Sequence, residues 1–479
     1  MTGKKRDVIL YELNEVPWSV VDYYVQQRPN SNLAAILDKG QSLTTKHEKC
    51  FHLMPWRTWP TLHNSTYEHN SFDLGQDPAT FKGDPIWDVA EKAGLSVGLF
   101  APMQSWPARK FASGGFYFPD TFSQDSKTYP ESLSRFQAFN LAMTSENNFS
   151  SDTALDLKTL LGTGVDLIRQ GLTPKSTATL AAHLVRERKD ARYKALRPSM
   201  QVLPCFDLYW RLHRKHQPRL SVFFTNHVAS MMHRFWGDAM PGYTDVHDYQ
   251  PDEVYGTFIT TAMDYTDWQL GRIRDYIAAH PETMLVVAAS MGQGPVEPKF
   301  SDRGLFVLDD HHKLVSALGL QPAELALTMY PFVSLVFDDE AAAQQAVAPI
   351  ESVFIDGGSE LFSPVRLEGR TATFAIDNAV DSPDEISGLA TPLRYRPVGS
   401  EADVTGTPAD FGMSFRPRVG GDNTGYHIPE GMLFAYGAGI SPDPSRKEVD
   451  ILDIAPSLLA NVLDVEPAPS MRGIPSLFG

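Results

Sequence analysis

Leu220–Trp236, LSVFFTNHVASMMHRFW, is the stretch from which the rest of the chain can be read. It opens as an apolar run, Leu220–Phe224, with the length and composition of a buried strand. It then breaks into Thr225, Asn226, His227, Ser230, His233 and Arg234. A buried strand that ends in a polar cluster is where an open α/β sheet carries its chemistry, because ligands bind beyond the carboxyl ends of parallel strands. Taken singly, His227 and His233 read as ordinary hydrogen-bonded histidines near a helix start. Their weight depends on what other segments bring to the same edge.

Upstream, Val8–Tyr11 is a second short apolar run, with Glu12, Asn14 and Glu15 at its carboxyl end. Helical patterns follow at Val20–Gln27 and from Pro29 to Leu37, and polar β-type sequence runs from Ser42 to Phe51. The Trp- and Pro-rich stretch from His52 to Gly75 reads as a loop passing into a helix. Asp88–Ala93 reads as a helix capped by Gly94, and Ser96–Phe100 as the next buried strand. Downstream, Tyr255–Ala278 has the apolar spacing of one long helix, and Met284–Ala289 is a buried strand ending in SMGQG. Alternating strands and helices predict an α/β fold, a mostly parallel central sheet with helices on both faces. From about 106 to 219 the pattern changes to a locally basic helical insertion, with helices expected over Thr153–Gly171 and Ala178–Leu196. Residues 331–410 read as short strands in a small α+β subdomain, with strands expected at Phe332–Phe337, Val353–Ile355, Ser363–Leu367 and Ala372–Ile376. The core would then comprise 1–105, 220–330 and 411–479, ending in a strand at Met432–Tyr436 and a helix over Val449–Leu463.

Bulk properties narrow the function. The chain has 479 residues, 42% of them apolar and 21% charged, the balance of a globular protein. A formal net charge of −16 argues against nucleic acid or an anionic membrane surface as the main partner. A small anionic substrate remains compatible, since a local basic pocket can sit on an acidic protein. Two cysteines, Cys50 and Cys205, make neither a disulfide framework nor a cysteine metal site. No signal-peptide core follows the basic N-terminus and no run reaches membrane-span length, so the cytoplasm is the expected location. Composition leaves the oligomeric state open.

Six segments in order resemble the alkaline phosphatase superfamily, in its branch of type I phosphodiesterases and nucleotide pyrophosphatases. VILYELNEVPW resembles that family's first strand, and RTWPTLHNSTYEHNSFDLG its nucleophile segment. DPIWDVAEKAGLSVGLF resembles the helix and strand after it, and VASMMHRFW a D-x-x-x-H-R-F-W segment. GYHIPEGMLFAYGAGI resembles G-x-H-x-P-E-G, and DILDIAPSLLANVLDVE with MRGIPSL the C-terminal ending. The resemblance implies an alkaline-phosphatase-like fold, Thr58 as nucleophile with Thr61 as second choice, and His233 and His427 as metal ligands.

The departures bear on mechanism. The resemblance asks for two divalent ions held by Asp, His and the nucleophile. Here the first Asp falls on Asn14, the Asp of D-x-x-x-H on Ala229, and Ser-Asp-His-Gly on Ala289-Ser290-Met291-Gly292. Alanine cannot coordinate, and an amide or thioether suits a hard ion poorly. One outcome is a single zinc or manganese ion on His233 and His427 with Glu12 or His227; of the two carboxylates at the first strand end, Glu12 is expected in the site ahead of Glu15. The other is no ion, with Asn14, Arg57, Asn226, Arg234 and Gln293 holding the anion and Glu12 or His227 serving Thr58 as base. The leading expectation is an enzyme that hydrolyses or transfers a phosphate or sulfate ester or a phosphodiester. A catalytically silent relative binding an anionic ligand or protein partner, and a non-hydrolytic transferase or lyase, are the alternatives.

Overall fold

A computed structural model describes residues 6–47, 53–69, 83–147, 167–298, 305–326, 332–355, 360–376, 392–416 and 423–479. Its contacts divide the chain into two units: 1–144, 154–298 and 423–479 form the first, and 145–153 and 299–422 the second.

The first unit is built on the apolar runs. Its strands are β1 Asp7–Leu13, β2 Gln41–Lys46, β3 Val97–Phe100, β4 Gly115–Phe118, β5 Leu220–Thr225, β6 Thr283–Ala288, β7 Gly292–Pro295, β8 Gly425–Ile428, β9 Gly431–Gly437 and β10 Asp443–Asp450. Eight of them form one sheet in the order β10-β2-β9-β6-β1-β5-β3-β4. β9 is antiparallel to both its neighbours and the other strands run parallel to one another. The mostly parallel α/β sheet expected from the alternating pattern is present. β1, with β5 and β6 on either side, is buried on both faces, which is why it reads as a continuous apolar run rather than an alternating one.

The main helices of this unit are α1 Trp18–Gln27, α2 Asn32–Leu37, α3 Pro55–Asn64, α4 Ile86–Lys92, α5 Ser134–Asn147, α6 Pro174–Lys189, α7 Val202–His216, α8 Ala229–Ala239 and α9 Phe258–Ala279. Strand periodicity sorts side chains between two layers. Val8, Leu10, Val222 and Val286 pack with Trp59 and Leu62 of α3, Trp87 of α4 and Ile454 and Leu458 near the C-terminus. On the opposite face Tyr11, Phe100 and Phe223 meet α7 and α9. Tyr209 lies 4.7 Å from the Phe223 ring, and the Tyr11 hydroxyl donates to Gln269 Oε1 at 2.5 Å.

Three local expectations are corrected. The Trp- and Pro-rich stretch expected as a loop passing into a helix is helical already from its start, over Pro55–Asn64, because Pro55 sits in the first turn, where no N–H is needed. The expected helix Val449–Leu463 starts late: β10 runs to Asp450 on the sheet edge. Only then do a 3₁₀ turn (Ile451–Asp453), a short helix (Ile454–Ser457) and a π turn (Leu458–Leu463) follow. Pro456, which lacks an amide donor, keeps this segment from forming one regular helix. Ala178–Leu196 is a helix only to Lys189, followed by a 3₁₀ segment at Ala191–Leu196. The helix expected over Thr153–Gly171 lies mostly outside the described residues, as does Cys50. The described helices between 106 and 219 fall in the first unit rather than in one of their own.

The second unit has its own core, including Phe306, Leu314, Leu335, Ile350 and Phe374. An antiparallel sheet orders Arg366–Glu368, Thr371–Ala375, Phe332–Val336 and Glu324–Ala326, with the helix Glu340–Glu351 in the same unit. Among the described residues no helix is long and apolar enough to cross a membrane.

Candidate functional site

The ends of β1, β5 and β6 and the antiparallel β7–β8 pair, whose strands flank the second unit in sequence, converge in the first unit. β1 leaves the sheet after Leu13, and Asn14 N–H still bonds Thr225 O of β5 at 3.0 Å. The next residue, Glu15, has φ +61°, a left-handed conformation that a side chain disfavours. This turn carries the Glu15 carboxylate away from the strand and into a buried polar cluster. α8 brings His233, and β8 brings His427 opposite Gln293 of β7.

The β7–β8 pair is fastened to α8. Thr424 N–H donates to His233 O at 2.9 Å, and Gly237 N–H to Thr424 Oγ1 at 2.9 Å. Any Cβ on Gly425 would collide with the carbonyl of Met232, so this approach requires glycine.

At the centre, His233 Nε2 lies 2.9 Å and His427 Nε2 3.3 Å from Glu15 Oε2. The three ligand atoms all lie within 4.8 Å of one another. His233 Nδ1 donates to Gly425 O at 3.0 Å, which fixes the ring and leaves Nε2 facing the carboxylate. Glu15 is held from its other side as well. Asn14 Nδ2 donates to Glu15 Oε1 at 2.7 Å, and Gln293 Nε2 donates to Oε2. Burial pushes the Glu15 carboxyl up, but the positive charge of His427 and His233 outweighs it and holds it well below the usual carboxylate range. Burial works against a charged His233, yet the Glu15 carboxylate raises this imidazole above its ordinary value.

This is a different donor set from the one expected. Glu12 is not the carboxylate beside the two histidines. On β1 it shares the face of Val8 and Leu10, beneath α3, and its Oε1 accepts from His63 Nε2 at 2.6 Å. Nor is His227 the third ligand. Its Nδ1 is 2.7 Å from Thr225 Oγ1, and its Nε2 is 3.1 Å from Ala262 O and 3.0 Å from Thr266 Oγ1. Both ring nitrogens are engaged inside the sheet–α9 layer, and burial depresses this imidazole to about 3.

A single divalent ion fits Glu15, His233 and His427: one carboxylate oxygen and two imidazole nitrogens leave the open position a catalytic zinc needs. Among the described residues no second group of three such ligands stands together. Where the resemblance asks for Asp and His stand Ser290 and Met291, and the Ser290 hydroxyl lies 2.7 Å from Thr58 Oγ1. Asn14 is also committed: Trp59 Nε1 donates to its Oδ1 at 2.7 Å, and its Nδ2 reaches Asn226 Oδ1 at 2.7 Å. Gln293 Nε2 also donates to Ala229 O at 3.2 Å, at the residue that stands where the resemblance asks for an Asp.

Thr58 is in the first turns of α3 and fully buried. Arg57 beside it is buried too, and Arg234 holds its guanidinium 5.1 Å over the Phe235 ring. Sequence reasoning underweighted Glu15 and missed His63, Ser290 and His47. Ser290 sat at an Asp position, and its hydroxyl was the available signal. His47, at the end of β2, contacts Ser290 O through Nε2, and burial depresses it to about 4.

No family model matches the chain, and no curated protein matches it. Solved structures similar to it include murine ectonucleotide pyrophosphatase/phosphodiesterase 5, at 11% identity and TM-score 0.40, covering 98% of both chains. An inactive variant of that murine protein in complex with AMP is similar at 12% identity and TM-score 0.39, again over 98% of both chains. The human ectonucleotide pyrophosphatase/phosphodiesterase 5 is similar at 11% identity and TM-score 0.41, over 98% of this chain and 97% of that one.

Proposed function

We propose that this chain hydrolyses or transfers a phosphate or sulfate ester, or a phosphodiester, at a centre holding one zinc or manganese ion on Glu15, His233 and His427. The observation that carries the reading is the convergence of Glu15 Oε2, His233 Nε2 and His427 Nε2 within 4.8 Å at a strand-end edge. When bound, the ion supplies positive charge toward an anionic ester oxygen. Asn14 and Gln293 orient the Glu15 carboxylate, and the Gly425 carbonyl keeps the His233 proton on Nδ1. Thr58 is the nucleophile in this reading, its hydroxyl aligned by Ser290 until substrate displaces that bond. Asn226, Arg57 and Arg234 are the candidate donors to a small anionic substrate. The test is metal analysis by mass spectrometry on protein purified without chelator. About one equivalent of zinc or manganese is expected, and its loss in His233→Ala. A chain that takes up no metal overturns the reading. Thr58→Ala should abolish turnover on an ester panel, and undiminished turnover removes Thr58 from its role.

One observation favours a second reading, a catalytically silent relative that binds an anionic ligand. Thr58 is fully buried and its hydroxyl is already bonded to Ser290. That reading expects an anion to raise the melting temperature with no turnover of any ester.

A further inference from the structure

One side-chain amide joins the ion centre to an exposed residue at the end of β5. Trp59 is fully buried, with ring centroids 5.7 Å from His63 and 5.6 Å from Phe224. An indole N–H only donates, so the Asn14 atom 2.7 Å from Trp59 Nε1 is the carbonyl oxygen Oδ1. The amide nitrogen therefore points the other way, and each of its two hydrogens has an acceptor. Glu15 Oε1 takes one at 2.7 Å and Asn226 Oδ1 the other at 2.7 Å. The main chain makes a parallel tie, since Asn14 N–H donates at 3.0 Å to the carbonyl of Thr225, the residue before Asn226.

This order of atoms decides which way Asn226 faces. Its oxygen is taken by Asn14, so its Nδ2 group is the end left for a ligand. Asn226 is exposed, in the turn between β5 and α8, and its Nδ2 has no hydrogen-bond partner among the described residues. A reversed amide would present an oxygen there, which an anionic oxygen avoids. The two ends of the clamp are also close. Glu15 Oε1 and Asn226 Oδ1 lie at the same 2.7 Å from one nitrogen, and Oε2 of that carboxylate is the atom that faces His233 and His427.

We infer that Asn14 is a positioning residue that aims Asn226 Nδ2 at an oxygen of the anionic substrate while it holds the carboxylate of the ion. The inference rests on the proposed ion centre and deepens it: one oxygen of the ester meets the ion and a second accepts from Asn226. An aspartate at position 14 has no hydrogen for Glu15 or for Asn226, which gives the asparagine at this place a role of its own.

The test measures inorganic phosphate binding to the zinc-loaded full chain by calorimetry at saturating zinc, and zinc affinity by chelator competition. Asn226→Ala changes an exposed side chain and should weaken phosphate about tenfold, with zinc affinity within about twofold of the unchanged chain. Asn14→Ser should weaken phosphate to a similar degree. In the Asn226→Ala background it should cost little more, because both changes remove the same donor. Trp59→Phe keeps a ring and removes only the N–H that orients Asn14. It replaces Asn14→Ser in the cycle if that variant folds poorly by circular dichroism. Phosphate affinity unchanged in Asn226→Ala overturns the inference and leaves the ion centre standing. Full additivity of the two changes overturns it as well, since Asn14 then acts through something other than Asn226. A chain that takes up no zinc removes the ion centre, and the inference falls with it.

Discussion

Replacing Glu15 by Gln keeps the shape of the side chain and removes its charge. Structural zinc sites gain about 10–16 kcal/mol over four ligands, so one ligand is worth roughly 3 kcal/mol. That corresponds to about a 100-fold weaker affinity, a tenfold change being about 1.4 kcal/mol. The amide can still offer an oxygen, but it no longer balances His233 and His427, whose ring nitrogens lie 2.9 and 3.3 Å from Glu15 Oε2. The assay is competition with a chromophoric zinc chelator, using protein stripped of metal, with Glu12→Gln measured in parallel. Glu12 lies beneath α3 against His63, so its variant should lose stability while its zinc affinity stays within about twofold. Two results would refute the reasoning: zinc affinity unchanged in Glu15→Gln, or a loss in Glu12→Gln as large as in Glu15→Gln. The second would mean that the carboxylate nearer the strand, and not the one on the left-handed turn, meets the ion.

Breaking the buried Glu12–His63 pair with Glu12→Leu should destabilise the chain by about 3–5 kcal/mol, and Glu12→Leu/His63→Leu should recover most of that loss. Urea midpoints of both variants measure this, and a double variant no better than the single one counts against a specific pair. Stability should also fall on the acid side. His47, His213 and His227 are depressed by burial to about 4, 3 and 3. Between pH 6.5 and 4 the unfolded chain binds their protons and the folded chain does not, so their contribution is complete above pH 6.5 and is lost as pH falls. Asp120, pushed up by burial to about 6, works the other way between pH 3.8 and 6. The four groups together leave a net difference of about two protons near pH 5, or roughly 3 kcal/mol per pH unit. Denaturation midpoints that stay flat from pH 7 to 5 would contradict this.

The central sheet was legible because its strands are buried on both faces and appear as short uninterrupted apolar runs, as at Val8–Tyr11 and Leu220–Phe224. His233 and His427 were legible because the spacing around them resembles a known pattern. The identity of the carboxylate was not. Period-two counting along β1 sends Glu12 to the α3 layer, but it cannot anticipate that Glu15 takes a left-handed conformation and swings into the cluster. Ser290 was hidden for another reason: its partner Thr58 is 232 positions away, and no local pattern announces a hydroxyl pair. His227 looked functional because it follows a strand end, yet Thr225, Ala262 and Thr266 engage both its nitrogens. Cys205 is a free thiol on α7 that burial pushes up to about 12, which disfavours the thiolate.

The place of β8 in the chain also has a consequence for synthesis. In chain order Glu15 comes first, His233 next, and His427 only after the second unit, just before antiparallel β9 slots between β6 and β2. On the proposed function, the three ligands of the ion stand together only after β8 has been made, so loading would follow that strand. Once β8 docks against β7, an ion on these three residues would tie β1 to β8. That tie resists withdrawal of the C-terminal segment, so metal loading should slow proteolysis that starts there.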